Sequence, residues 1–537
     1  MNIRLKITIL LLLAGGTLGS ARLAAQHRRR SFDVVKRSDA RLVSENAAWL
    51  DALPDIRISA AQLFVEKSNG RFINYFQSPD SRTAGAETES FFRINRRLVF
   101  YGMVGYRNFT GKRMGGSAFI DPLSAPFDLV ESTDTTRGTK QMEVYRLAGA
   151  AAYDVSPKIT LGAKTDYSAA NYTKRKDLRH TNKLLDFETT AGIKYKPNKK
   201  TEIGLNAFYR KRAEGIYFKI YGTTDKQYVS LIDFGSSYGR TELYTDNGDG
   251  YTSGKTERPL TDNYYGGAAQ FRVSFSLPFS LFNQLYYRSR SGYYGIQSAS
   301  GVVYTEHKGQ GWGYLGSALF TKSTDRHRLD VNFESEALQN FENVYTIENE
   351  PGGFSYVTYH DKNKMQERHR EKIRMEYIGN IGSENGLPLW VVKASACIGR
   401  QYRKTSIYPF FRKQELTCWR TNGSVSRNLF RGQRHCFGLT LGLSYGGGDG
   451  APFSDGLYAE PSETEKPPKT ADFNLYSEHD YLTANRWGVH PALRYTMLFK
   501  GGNTGSISLK YDYLQAVRTN SGNRNHQQLQ LAFGVGF

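Results

Sequence analysis

The chain has 537 residues and a formal net charge of +21, and it is rich in tyrosine (36) and glycine (53) but poor in proline (16) and cysteine (3). Three cysteines are too few for a disulfide scaffold, and the sequence contains no run of 18 apolar residues that could form a transmembrane helix. The positive charge can attract nucleic acid, anionic lipid or anionic solutes.

Residues 1–25 have the three parts of a secretory signal peptide. Arg4 and Lys6 form a basic start, residues 7–13 form a short apolar core, and Ala25 is a small residue at the expected cleavage point. The core is too short to span a membrane as a helix. We therefore expect export and cleavage, which make nucleic acid the least favoured of the three partners.

Residues 26–54 are expected to form a separate N-terminal segment. It begins with the basic run HRRR and continues with SENAAWLDAL, in which Ser44 is a suitable cap for a short amphipathic helix. Three roles remain open: a solvated periplasmic tail, a plug inserted into a larger structure, or a helix that docks on a partner.

From residue 55 to residue 537 the chain alternates apolar and polar residues, as in HRLDVNFESE (327–336) and FGLTLGLSY (437–445). Such alternation predicts β-strands with one apolar face. Many of these stretches exceed the roughly five or six residues usual in soluble sheets. Short turns such as DVSPK (154–158) also alternate with longer polar loops, roughly at 215–262, 345–365 and 449–480.

These features predict an all-β fold, a transmembrane antiparallel β-barrel of about 18 strands (16–18) with short periplasmic turns and long extracellular loops. A closed barrel is preferred to a soluble sandwich because it pairs every backbone polar group in lipid. Aromatic residues at strand ends should form belts at the membrane interfaces. Four of them are expected near the short-turn rim: Trp390, Trp487, Tyr153 and Tyr195.

The last strand, QQLQLAFGVGF, has its apolar side chains on one face, which is expected to contact lipid: Leu529, Leu531, Phe533, Val535 and Phe537. A C-terminal strand that ends on phenylalanine resembles the assembly signal that the barrel-assembly machinery reads in outer-membrane proteins. The resemblance implies that loss of Phe537, or its replacement by a charged residue, impairs membrane insertion.

The polar faces of the predicted strands would line the barrel interior, where most charges are expected to be solvated or paired. Arg288 and Arg290 share a face of one strand, and Arg272 is expected on the neighbouring strand, joined by the turn at 278–280. We hypothesise a basic patch that binds phosphate, sulfate or carboxylate groups bidentately. The alternative is that carboxylates of the wall neutralise these arginines.

Two cysteines lie in strands joined near 406–409, where symmetric pairing places Cys397 opposite Cys418 on the polar face. A disulfide between them is one expectation for an oxidising periplasm, and its geometry across paired strands is demanding. Cys436 would remain unpaired.

No catalytic, metal or cofactor site is predicted. GSSYG (235–239) fits the pattern of a nucleophile elbow, but that motif needs a strand before it and a helix after it, and this stretch lies in a long polar loop. No Ser/His or Asp/His set stands out among the 10 histidines. An outer-membrane lipase or protease therefore remains a minor alternative.

The mature chain resembles a family of outer-membrane β-barrel proteins from Gram-negative anaerobes. The resemblance rests on SENAAWLDALPDIRISAAQLFVEKSNGRF, on FFRINRRLVFYGMVGYRNFTGKR and on the terminal phenylalanine. It implies a barrel in contact with outer-membrane lipid and lipopolysaccharide, of a type that accompanies TonB-dependent receptors and surface lipoproteins. It implies no functional residues.

The leading functional prediction is a non-enzymatic outer-membrane barrel. It would pass small polar or anionic solutes, or serve as the barrel partner of a surface nutrient-uptake complex. One alternative is a barrel with an occluded lumen that binds a ligand or lipoprotein at the surface, and the other is a barrel hydrolase. Conductance in a planar bilayer separates an open lumen from an occluded one.

Overall fold

The computed structural model describes residues 32–54, 56–131, 136–221, 226–245, 250–252, 254–275, 278–350, 353, 355–384, 386–499 and 502–537. The predicted signal peptide lies outside these residues. With strands numbered β1–β24 along the chain, β1 (Arg57–Gly70) pairs with β2 (Asp80–Asn95) and also with the last strand, β24 (Asn525–Gly536). The antiparallel sheet is therefore closed into a barrel, and the predicted fold class is confirmed.

The wall has 18 strands, each paired with the next along the chain. One of them is interrupted at Pro491, which has no N–H to donate to a ladder, and so it is counted as two segments, β21 and β22. Besides β1, β2 and β24, the wall consists of β3 (Leu98–Met114), β5 (Gly138–Ser156), β6 (Ile159–Lys174), β7 (Arg179–Tyr195), β8 (Thr201–Lys219), β11 (Arg258–Ser274), β12 (Phe279–Ser298), β13 (Gly301–Lys322), β14 (Asp325–Asn349), β15 (Ser355–Ile381), β16 (Trp390–Ile407), β17 (Phe410–Arg431), β18 (His435–Asp449), β21 (Arg486–Val489), β22 (Ala492–Leu498) and β23 (Thr504–Ala516).

The C-terminus closes the seam of the barrel. The N–H of Phe537 donates to the carbonyl of Ser59 at 3.0 Å, and the N–H of Ser59 donates back at 2.7 Å. The apolar side chains of β24 lie on the outer surface, where they are 39% to 53% exposed: Leu529, Leu531, Phe533, Val535 and Phe537. The outer face of this strand is thus the apolar one, as the alternation predicts.

Aromatic side chains are exposed on the outer wall at two levels. Tyr153, Tyr195 and Trp390 lie beside the short turns, as expected. Trp487 was expected there as well, but its cross-strand partner is Tyr445, in the half of β18 remote from the short turn at 432–434. The prediction for Trp487 is wrong because the chain enters this strand from the long-loop end, so the start of the strand lies in the other belt.

The expected loop at 345–365 is instead part of a hairpin. β14 and β15 remain paired out to Asn349 and Ser355. β14 pairs with β13 only as far as Glu342, and β15 pairs with β16 only from Gln366 onward. Residues 343–349 and 355–364 therefore rise beyond the ladders of the neighbouring strands as a hairpin. Its base contacts the β12–β13 hairpin, where the N–H of Val357 donates to the carbonyl of Ala299 at 3.1 Å.

Two further parts of the chain lie inside the barrel. The N-terminal plug, residues 32–54, contains helix α1 (Phe32–Ser38) and two 3-10 helices, Ala40–Val43 and Ala47–Ala52, and packs against β5, β6 and β7. The lid, residues 115–131, 226–245 and 469–483, contains a second sheet and helix α2 (Asp472–Thr483). The lid sheet has the order β4 (Asp128–Glu131), β9 (Val229–Asp233), β10 (Tyr238–Leu243) and β20 (Lys469–Thr470).

The remaining short strand, β19 (Ser454–Leu457), pairs with the long-loop end of β17. Among the residues described, no helix is long and apolar enough to cross a membrane.

Candidate functional site

Charged side chains of the wall hold the plug in the short-turn half of the lumen. The fully buried Lys194 of β7 pairs with Asp51 of the plug, and Lys196 donates to the same carboxylate at 2.5 Å. Glu202 of β8 accepts from Arg41 of the plug at 3.2 Å. A buried charge that loses its partner is costly, so these ion pairs fix the plug against the wall.

Arg272 belongs to this plug interface and not to the hypothesised basic patch. It donates to Glu202 at 2.9 Å. In the β11–β12 register Arg272 lies opposite Phe282, near the short turn, whereas Arg288 and Arg290 lie towards the long-loop end of the lumen. The expectation that all three arginines cluster is therefore wrong. They are on neighbouring strands, but at different heights along the barrel.

Glycines of the wall allow the plug to approach closely, through its backbone at one position and through a side chain at the other. A Cβ on Gly162 would lie 2.0 Å from the nitrogen of Ala48, and one on Gly192 would lie 2.2 Å from Oδ1 of Asn46. These two glycines are cross-strand partners on β6 and β7. Any larger residue at either position would therefore push the plug away from this part of the wall.

An aromatic core packs the lid against the wall and is centred on Phe127. Its ring centroid is 5.1 Å from Tyr294 of the wall, 5.5 Å from Phe119 and 5.6 Å from Tyr251. The core joins two of the lid loops, 115–131 and 226–245, to the inner face of β8, β11–β13 and β15. Its buried members are Ala118, Phe119, Ala125, Phe127, Leu129, Leu178, Ile216, Phe218, Tyr228, Ile232, Phe234, Tyr244, Tyr251, Leu260, Tyr294, Val302, Tyr304 and Met365.

Polar contacts tie the edges of the lid to the wall on opposite sides. Asn182 of β7 donates to the carbonyl of Ala118 at 2.8 Å. On the other side, both terminal nitrogens of Arg403 in β16 donate to Glu478 of α2 at 3.0 Å. The lid sheet shares no β-ladder with the wall in the part of the chain that the structure describes. It is therefore held by side chains rather than by continuous strand pairing.

The lid also contains two directly opposed carboxylates. Asp128 of β4 and Asp233 of β9 are cross-strand partners, and both are nearly fully buried. Burial, with the opposing Asp233 charge, raises the pKa of Asp128 to about 7. Burial raises the pKa of Asp233 to about 6. Closing the lid therefore favours protonation of these two groups.

Arg288 and Arg290 do share the inner face of β12, but both have wall carboxylates as partners, which is the alternative that the sequence left open. Arg288 donates to Glu336 at 2.9 Å, and Arg290 donates to Asp262 at 2.7 Å. Arg368 and Arg370 of β15 lie near the same carboxylate, Glu336, and were not singled out from the sequence. The signal was available, because arginines recur at alternate positions in QERHREKIRM (366–375).

The cysteines are all free in the structure. Cys397 lies opposite Arg420, and Cys418 lies opposite Gly399, so the two cysteines are diagonal neighbours on the inner face. The expectation of direct opposition is wrong because the tight turn is centred at 408–409. A shift of one residue in the centre of a turn moves cross-strand partners by two.

The GSSYG stretch forms the turn between β9 and β10 within the lid. A strand precedes it and another strand follows it, so the strand-to-helix setting of a nucleophile elbow is not met. Among the described residues, no group of three or more His, Cys, Asp and Glu side chains is placed to hold a metal ion.

Comparison with protein families identifies one match over most of the chain. The model of a family of unknown function (DUF6850) matches residues 47–537. A search of the curated proteins finds no match.

Solved structures with a similar architecture are membrane barrels. The outer membrane transporter YddB from Escherichia coli is 7% identical over 90% of this chain and 81% of its own, with a TM-score of 0.40. The RagAB peptide importer is 6% identical over 90% and 86%, with a TM-score of 0.39. A mutant of the monoaromatic hydrocarbon channel TodX is 12% identical over 92% of both chains, with a TM-score of 0.31. At these values the likeness concerns barrel architecture and carries no information on substrate.

Proposed function

Since the chain belongs to this family of unknown function (DUF6850), we propose from its geometry that it is a non-enzymatic outer-membrane barrel in which the lid gates the passage of small polar or anionic solutes. The plug stays seated in the short-turn half of the lumen. The lid occupies the long-loop half and moves when a solute passes.

The observation that carries this proposal is the separate sheet of the lid. A closure built from wall strands would have to break β-ladders to open. The lid sheet instead contacts the wall through side chains such as Asn182 and Arg403, together with its aromatic core. It can therefore move as a unit while the wall ladder, which the membrane requires, stays intact.

The proposal includes the route to the membrane. The chain is exported in a Gram-negative cell through its signal peptide, and the barrel-assembly machinery reads its last strand, including Phe537. Support comes from the outward apolar face of β24 and from the seam between Phe537 and Ser59. Outer-membrane lipid and lipopolysaccharide then surround the wall.

A reversible cross-link between lid and wall tests the gate. Ser236 of the lid and Gln414 of the wall are 3.3 Å apart through their side-chain oxygens. We would introduce Ser236→Cys and Gln414→Cys in a background in which the three native cysteines are serine. In planar bilayers we expect no conductance when the pair is oxidised, and intermittent ion conductance after reduction.

The matched controls are the two single-cysteine variants, which cannot form the cross-link and should conduct alike in either redox state. Conductance that persists in the oxidised double variant would show that the lid is not the gate. If none of the proteins conducts, the lumen is permanently occluded and the transport proposal fails.

A second candidate function, a barrel partner for a surface protein, is favoured by the hairpin of β14 and β15. The part that extends beyond the ladders of β13 and β16, residues 343–349 and 355–364, exposes apolar side chains above the wall, including Ile347 and Tyr359. Free strand edges are a common template for pairing with another chain. A surface lipoprotein or a TonB-dependent receptor is the proposed partner.

Shortening this hairpin tests the second candidate function. We would remove 344–348 together with 356–360 and isolate the barrel from its native outer membrane under mild conditions. Loss of a co-purifying lipoprotein or receptor that accompanies the full-length barrel is the expected result. An unchanged set of co-purifying proteins, or none with either form, would contradict it.

A further inference from the structure

The inner wall beneath the lid carries two adjacent rows of arginines. The upper row is the one nearer the long loops. Its members are cross-strand partners between β12 and β16, and they include Arg290, Leu338, Arg368 and Arg403. The lower row, two residues closer to the short turns, passes through Arg288, Glu336, Arg370 and Gln401. Residues two apart on a strand face the same way, so both rows point into the lumen.

These guanidinium groups converge on one carboxylate. Glu336 lies 2.9 Å from Arg288, 3.4 Å from Arg368 and 3.8 Å from Arg290. A glycine in the strand between gives the room for this, because a Cβ on Gly311 would lie 2.7 Å from Nε of Arg288. The wall thus builds a compact site in which one anionic group is already shared by three cations.

The positive charge of the site exceeds the negative charge on its walls. Four arginines, at 288, 290, 368 and 370, face Glu336 and Asp262, and Asp262 is also bound by His307 at 2.6 Å. Among the residues described, Arg370 has no carboxylate partner within 4 Å, and its Nη2 has no hydrogen-bond partner. Nε of the nearly fully buried Arg368 is likewise without a partner.

The tip of a lid loop occupies this site with neutral oxygens. Arg370 donates to the carbonyl of Leu123 at 2.5 Å, Arg290 to that of Ser124 at 2.8 Å, and Arg368 to that of Ala125 at 2.9 Å. Three consecutive carbonyls therefore take the place where an anionic partner would bind more strongly, because an anion adds a direct charge–charge attraction that a neutral carbonyl lacks.

We propose that these two arginine rows are the binding site for a small anionic solute that carries a phosphate or two carboxylates, and that the lid tip at 123–125 competes with this solute for the site. The proposal rests on the gated barrel above and names its substrate class. A bound anion replaces the neutral carbonyls, and so it favours the open lid.

The geometry selects a compact, multiply charged anion over a single halide. Guanidinium groups bind phosphate and carboxylate through two parallel hydrogen bonds, and here several of them approach one point from different strands. A chloride ion is a single atom and cannot form two parallel hydrogen bonds with one guanidinium group through separate oxygens. A long polyanion is disfavoured because the lid core and the plug occupy the lumen above and below.

The test uses the full-length barrel in a non-ionic detergent with chloride as the background anion. Inorganic phosphate and succinate are titrated calorimetrically, and hydrogen exchange is followed at the amides of Ala118 and Glu131, which bond to Leu129 and Gly116 within the lid. Both probes should bind saturably and speed lid exchange by roughly tenfold or more, on the scale of one charged hydrogen bond.

Arg370→Gln removes the cation that has no acidic partner, and it should weaken probe binding roughly tenfold. Arg374→Gln is the matched control, because Arg374 lies four residues further along the same inner face and pairs with Glu376 at 2.6 Å. It should change binding less than about twofold. The double variant Arg368→Gln with Arg370→Gln should abolish binding. If that double variant does not assemble, the single Arg370→Gln variant decides.

Absence of phosphate and succinate binding would overturn the proposal, and so would binding that leaves lid exchange unchanged or that Arg374→Gln weakens as much as Arg370→Gln. The gated barrel can be judged separately. If the reduced Ser236/Gln414 double-cysteine protein conducts while no probe binds, only the anion site fails. If the probes bind but nothing conducts, the transport proposal fails and the anion site remains.

Discussion

The plug and the lid fill opposite halves of one lumen, but they are attached to the wall in different ways. The plug is continuous with β1, presses its backbone against Gly162 and the side chain of Asn46 against Gly192, and buries Asp51 against Lys194. The lid is assembled from three separate loops with an aromatic core and side-chain contacts to the wall.

This difference assigns different roles to the two halves. The plug fits into the space left by two wall glycines and buries ion pairs with the wall, so breaking these contacts is costly and the plug contributes to the stability of the barrel itself. The lid carries its own sheet and shares its aromatic core with wall residues such as Tyr294, so it can leave the wall without breaking a β-ladder. The lid is therefore the part that should open locally, well below the free energy of global unfolding.

The largest expected effect lies in the plug. Asp51→Ala leaves the buried Lys194 with only the more distant carboxylate of Glu202, at 4.0 Å, and this should reduce the free energy of unfolding of the whole barrel by about 3 kcal/mol. The measurement is urea unfolding in detergent, followed by the heat-modifiable mobility of the folded barrel. Asp166→Ala is the control, because its partner Arg146 is half exposed and the expected loss is below about 1 kcal/mol. Equal losses would mean that the plug does not stabilise the wall.

The next effect should be confined to the lid. Phe127→Ala removes the ring at the centre of the aromatic core and should weaken lid closure by about 3 kcal/mol. Faster hydrogen exchange at Ala118 and Glu131 is expected, with no change in the urea midpoint of the barrel. The control is Phe473→Ala, which truncates an exposed phenylalanine of the same lid. If Phe127→Ala destabilises the whole barrel instead, plug and lid are not distinct units.

The wall is the part that the sequence predicts well, because period-two alternation is a local signal that each long strand carries by itself. The lid could not be predicted in this way. Its strands are short, and β20 has only two residues, so no period is visible. Their pairing joins loops hundreds of residues apart, as when Tyr238 pairs with Thr470, and single-sequence patterns do not report such contacts.

The site was predicted only in part for a related reason. Alternation assigns a residue to the inner face, so Arg288 and Arg290 were correctly placed together. The height of a residue along the barrel axis depends on the register of its strand. The exact position of the turn sets that register, and the sequence does not fix the turn to the residue. For this reason Cys397 and Cys418, predicted to be directly opposite, are diagonal neighbours. For the same reason Arg272 was grouped with arginines that lie near the other end of the lumen.

A smaller effect should follow from pH and should act on the lid alone. The pKa values of Asp128 and Asp233 are raised, to about 7 and about 6, in the closed lid, so closure takes up protons. Closure should therefore be stronger at pH 5 than at pH 8, by about 2 kcal/mol, and its stabilisation is lost as the pH rises through 6 to 7. The charged and titratable neighbours of the pair are Tyr75, Lys140, Arg403 and Glu478.

Hydrogen exchange of the lid amides between pH 5 and 8, corrected for the intrinsic chemical rate, measures this linkage. Asp128→Asn should flatten the profile by removing the group with the higher pKa, while the exposed Asp361→Asn should leave it unchanged. The plug amides should show no such dependence. A lid that closes more tightly at pH 8 would contradict the sign of the effect.

The smallest predicted effect concerns the turn between β9 and β10, at the centre of the lid. Ser236 and Ser237 have φ values of 56° and 53°, a left-handed conformation that is unfavourable for residues with a Cβ. Ser237→Gly should therefore strengthen the lid by about 0.5–1 kcal/mol, since the relief of strain exceeds the added entropy of the open loop. The readout is slower exchange of the Phe234 amide, which bonds to the carbonyl of Tyr238.

Ser230→Gly, within β9 of the same hairpin, should weaken the lid because glycine loses more entropy on entering a strand. If both changes weaken the lid equally, the turn is not a source of strain, and the lid is already as firmly closed as its sequence allows.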